Sequence, residues 1–142
     1  MMRQKVYKLT LDEDTEFSVL GLSTAFSDYK LAYELNSSLD LKIVLHKEKM
    51  EIIDPKSKEQ VSFRVYHFFD EENLTKYYLV KNNQNLKFLF PEKPKMDFFL
   101  LVRDNFVFEM DDLIYRLRQI NGIVAIFKLE NSEFYAAEYL TF

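Results

Sequence analysis

No cysteine occurs in this chain, which excludes disulfides, thiolate metal ligands and a cysteine nucleophile together. Glycine is almost as scarce, with Gly21 and Gly122 the only two. Phosphate-cradling loops need several positions where backbone amides approach a ligand closely, so P-loop and dinucleotide fingerprints are both out of reach. Histidine is limited to His46 and His67, too few for a zinc site that normally takes four nitrogen or sulfur ligands. No serine stands in a Gly-x-Ser-x-Gly turn. The longest apolar run, Phe98 to Val102 with its neighbours, falls far short of the roughly 20 residues that cross a bilayer. A basic excess is missing too: the net charge is −4, which argues against binding a phosphate backbone and hence against DNA as a partner. The N-terminal residues Met1 to Lys8 alternate in polarity instead of forming the continuous apolar segment of a signal peptide. The expectation is a cytoplasmic chain with no membrane association, no cofactor, no metal and no enzymatic activity.

What the chain does have is apolar material. Of 142 residues, 48% are hydrophobic and 30% charged, enough to build one core in a single domain spanning 1–142. Residues 96 to 129 carry its strongest pattern. The run Met96 to Val102 is followed by Phe106, Met110, Leu113, Ile114 and Leu117 at helical spacing. Asn121-Gly122 then stops the helix, and Ile123 to Phe127 begins a new strand. This predicts a strand-helix-strand unit with parallel strands and the helix across one sheet face.

Upstream, residues 4 to 11 and 17 to 23 read as strands. Ser27 caps a predicted helix from Asp28 to Leu39 whose buried stripe is Leu31, Ala32, Leu35 and Leu39. Leu41, Ile43 and Leu45 lie on one side of a further strand, and Met50, Ile52 and Ile53 continue after a charged stretch. A turn is predicted at 54 to 58. Val61, Phe63, Val65, His67 and Phe69 alternate with Ser62, Arg64, Tyr66 and Phe68, and 74 to 81 returns as an antiparallel partner. A polar loop at 82 to 85, a short apolar segment from Leu86 to Phe90 and a final strand within 134 to 142 complete the reading. The fold class is α+β, a mostly antiparallel sheet with two helices packed on one face.

Phe90-Pro91-Glu92-Lys93-Pro94-Lys95-Met96-Asp97-Phe98 resembles the signature that names the IPExxxVDY family of small bacterial proteins. Pro91, Glu92 and Asp97 match, whereas Phe90, Met96 and Phe98 stand for isoleucine, valine and tyrosine. The stretch from Asp28 through Tyr29 to Asn36 is similar to that family's first helix, and Leu140-Thr141-Phe142 to its close. The resemblance implies an α+β cytoplasmic protein with no assigned activity.

Glu92 and Asp97 are the one carboxylate pair suited to acid-base work, but the turn preference of Asp favours a structural role. His46 and Glu48, two apart on a strand, share a face. Asp12, Glu13, Asp14 and Glu16 form a solvated turn, lacking the glycine and distal glutamate of a calcium loop. The aromatic hairpin offers Arg64, Tyr66, Phe68 and Tyr78 as an interaction surface. With apolar residues on both sides it needs covering, and self-association or a protein partner through residues 61 to 80 is the expected means. Single-stranded RNA stacking on the same rings, and metabolite sensing, are the alternatives.

Overall fold

The computed structural model describes residues 17–53, 57–84, 86–105 and 107–129. The strands expected at 4 to 11 and 134 to 142, the acidic cluster at 12 to 16, Leu140 to Phe142 and Phe106 lie outside the described residues, as does part of the turn at 54 to 58.

β1 (Phe17–Thr24) leads into α1 (Asp28–Leu39), whose first turn is capped by Ser27 Oγ accepting from Lys30 N–H at 3.2 Å. β2 (Val44–Leu45), β3 (Met50–Ile53), β4 (Gln60–Phe63), β5 (Val65–Asp70) and β6 (Thr75–Lys81) follow. β7 (Asn83–Gln84) and β8 (Lys87–Phe88) make a small ribbon, and β9 (Phe98–Arg103), α2 (Met110–Arg118) and β10 (Ile123–Leu129) close the described chain. Six strands form one sheet in the order β10-β1-β9-β6-β5-β2, every neighbouring pair antiparallel. The architecture is α+β.

The predicted strand-helix-strand unit is β9-α2-β10. Both strands are antiparallel to β1, so they run in the same direction, but β1 lies between them. Adjacent parallel pairing is therefore replaced by a split arrangement. Gly122 ends the crossover at φ +114°, where any Cβ would also overlap the Phe26 ring.

Both helices cover one face. Leu31, Leu35 and Leu39 of α1 and Leu113 and Leu117 of α2 pack with Leu20, Leu22, Tyr77, Leu79, Phe98, Leu100 and Val102. Each fully buried leucine contributes about 1.5–3 kcal/mol. The opposite face, with Val19, Tyr78, Val80, Phe99 and Leu101, is covered by Met50, Ile52 and Phe63 of the β3-β4 hairpin and by Leu89, Phe90 and Met96. The sheet surface that the sequence led us to expect open is thus covered from within the chain.

The 41-to-45 strand is shorter than expected. Asn36 accepts from Ile43 N–H at 2.8 Å through Oδ1 and donates to Ile43 O at 2.9 Å through Nδ2. These bonds tie Ile43 to the helix end instead of to a strand ladder, leaving two residues to pair with β5. The predicted strand at 61 to 69 keeps its alternation but changes sheet at Arg64. There the Gln84 side chain accepts from Arg64 N–H at 2.7 Å and donates to Arg64 O at 3.1 Å. Leu86, read as the start of an apolar segment, has φ +66° and is 89% exposed in the β7-β8 connection.

Candidate functional site

The signature stretch is scaffold. Asp97 Oδ2 accepts from Thr24 N–H at 2.9 Å, while the Asp97 backbone donates to Leu22 O and accepts from Asn82 N–H, fixing the entrance to β9. Asn82 is fully buried, and its side chain donates to Lys93 O and Met96 O and accepts from Phe90 N–H at 2.8 Å. The loop from 89 to 97 is therefore wrapped around one asparagine that the sequence placed in a polar loop. Its only visible signal was an Asn at the end of an apolar strand. Phe90 and Met96 point into the core, and Pro91 and Glu92 face solvent. Asp97 is thus engaged with backbone amides and Glu92 is solvated, so the structure does not bring them into one acid-base site. Asn36, the other motif residue, is the Ile43 clamp.

The four hairpin residues separate. Tyr78 is 2% exposed in the core beneath the β3-β4 hairpin and offers no surface to a partner. Phe68 is half-buried, with its ring 5.9 Å from that of Tyr77, itself buried on the helix side. Of the hairpin rings read as a stacking platform, Tyr77 and Tyr78 are closed off, Tyr66 and Phe68 are partly covered and Phe69 stays exposed. The period-two alternation was correct; both of its faces find cover.

Arg64 and Tyr66 instead converge on the start of α1. Arg64 Nη2 meets Asp28 Oδ2 at 2.8 Å. The Tyr66 hydroxyl is pushed above its ordinary pKa, first by burial and then by the Asp28 carboxylate to which it also hydrogen-bonds. Leu45 stands opposite Tyr66 in the β2-β5 pair, on the same sheet face. Tyr29 and Tyr33, four apart on α1, share one side of the helix. Tyr29, Tyr33 and Leu45 are all at least half exposed. Lys30 lies with Nζ 5.5 Å from the Tyr33 ring centroid and 3.0 Å from Glu34. The result is an apolar patch edged by charge at the junction of α1 with the β2 edge. The helical spacing already sets Tyr33 beside Tyr29, but Leu45 as their companion was not legible, because the junction depends on β2 docking beside β5.

On the opposite side of the same edge lies a cleft of about 490 Å³ lined by His46, Glu48, His67, Phe69, Lys76 and Tyr78 among others. His46 and His67 sit with ring centroids 4.2 Å apart. His46 Nδ1 accepts from Glu48 N–H at 2.9 Å, so Glu48 reaches its neighbour through its backbone. Burial holds His67 below its ordinary pKa, and the charge of His46 adds to the effect. Among the described residues no group of three or more His, Asp or Glu is placed to hold a metal ion, and no helix is long and apolar enough to cross a membrane.

No family model matches the chain, and no curated protein matches it.

Proposed function

We propose that this protein is a non-catalytic cytoplasmic interaction or assembly protein of the IPExxxVDY kind. It binds another protein surface, a second copy of itself included, and its protein-binding patch is formed by Tyr29, Tyr33 and Leu45 with Tyr66 and Arg64 at its border. The observation that carries this reading is the convergence of three exposed, large apolar side chains from two elements on one anchored pair, Arg64 and Asp28. Aromatic rings and arginine are the side chains that most often dominate binding energy at protein interfaces. Asn36 ties the end of α1 to Ile43, and the Arg64–Asp28 pair ties its start to the residue between β4 and β5.

Tyr33→Glu and Leu45→Glu are expected to leave the melting temperature near that of the parent and to weaken binding of a co-purifying protein at least tenfold, about 1.4 kcal/mol. Unchanged retention of that protein by both variants would move the interface elsewhere.

The histidine cleft favours a second reading, a small-molecule sensor, since a concave site lined by rings and a few titratable groups suits a polar aromatic ligand. A thermal-shift screen against charged aromatic metabolites tests it: stabilisation lost in His67→Asn supports the cleft, and stabilisation unaffected by that change rejects it.

A further inference from the structure

The β7-β8 ribbon presents Leu86 almost wholly to solvent, in the left-handed backbone region that a leucine disfavours and a glycine or asparagine accepts. Folding gains nothing from an apolar side chain there. Directly beside it is a groove of about 220 Å³ whose wall is formed by Ile52, Val61 and Phe63 of the β3-β4 hairpin together with Phe88 and Pro91. Leu86 and Lys87 form its rim. A protruding leucine and an apolar hollow therefore sit side by side in one patch.

We propose that this patch pairs with a second copy of the chain about a two-fold axis, each Leu86 entering the groove of the other. The proposal rests on the assembly reading above and names a different surface for its self-association. A two-fold contact requires a surface complementary to itself, which a knob adjoining a hole satisfies and a lone knob or lone groove does not. Charge agrees with the same occupant. The rim carries both signs, with Lys87 Nζ 3.8 Å from Glu59. A rim of mixed sign does not repel its own image, as one of single sign would. The patch is small beside the roughly 800 Å² per partner of a standard interface, so the dimer is weak, with a dissociation constant on the order of 0.1 mM.

Sedimentation velocity on the full chain, from about 10 µM to about 1 mM, tests this across the expected midpoint. The parent should move from monomer toward dimer. Leu86→Gly and Leu86→Asn, both of which suit the backbone, should stay monomeric while melting no lower than the parent, and Val61→Lys should also stay monomeric from the groove side, with a lower melting temperature because Val61 packs against the core. A parent that remains monomeric throughout overturns the proposal. So does a dimer that either Leu86 variant leaves intact; if Tyr33→Glu dissolves that dimer, self-association belongs to the α1 patch and the assembly reading stands without this contact.

Discussion

Single residues decide how the core tolerates polarity. The Tyr77 hydroxyl is buried with no hydrogen-bond partner among the described residues, and burial foremost, with the Asp70 charge second, pushes it up to about 12. A buried unsatisfied hydroxyl costs about 1–3 kcal/mol, so Tyr77→Phe should stabilise the fold by about 1 kcal/mol in urea denaturation near neutral pH. The pH dependence has a definite sign. The unfolded tyrosine ionises near its ordinary value of about 10 while the folded one holds its proton, so stability falls as pH rises from about 10 toward 12. Tyr66 and Tyr78, also raised chiefly by burial, add to that fall, and the Phe variant should show a shallower alkaline limb. Asn82 is the opposite case, a buried polar side chain whose amide makes three hydrogen bonds to the backbone. Asn82→Ala leaves Phe90 N–H and two carbonyls short of partners and should cost about 2–4 kcal/mol, read as a lower urea midpoint with an unchanged slope.

Elements follow local pattern until a distant side chain intervenes. The Ser27 cap and the Leu31, Ala32, Leu35, Leu39 stripe placed α1 at its observed bounds because both signals lie within the helix itself. The same holds for the face-by-face alternation from Val61 to Phe69. The break at Arg64 was not legible, since it is made by Gln84, twenty residues away, and the shortening of β2 was hidden for a similar reason in Asn36. The pairing of His46 with His67 likewise needs β2 to lie beside β5. It gives that edge a pH response. Unfolded His67 takes up a proton near its ordinary value of about 6.5, whereas in the fold burial, and then the charge of neighbouring His46, resist its protonation. Stability is therefore lost as pH falls from about 6.5 toward the depressed folded value. Comparing urea midpoints at about pH 7 and about pH 5.5 should show a smaller drop in His67→Gln than in the parent; an equal drop would place the response in other groups.

At the scale of the molecule, composition made the α+β class and the two helices on one face readable, because periodicity reports which side of an element is apolar. It could not report what lies on the far side of the sheet. Tyr78 was read as surface for that reason, and the β3-β4 hairpin with Phe90 and Met96 puts it in the core. Exposed apolar side chains remain in several places, the α1 patch among them. Tyr29 and Tyr33 were visible together from their spacing on α1, whereas Leu45 comes near them only because Asn36 ties the chain before β2 to the end of the helix. Tyr115 provides an internal comparison, being 66% exposed on the outer side of α2 and thus as accessible as Tyr29 at 74%. The decisive measurement places a photo-crosslinking amino acid at position 33 or at position 115 of the full chain, illuminated in intact cells that produce it. The account predicts a discrete protein adduct from position 33 and none from position 115. Adducts of equal yield from both, or from position 115 alone, would contradict it.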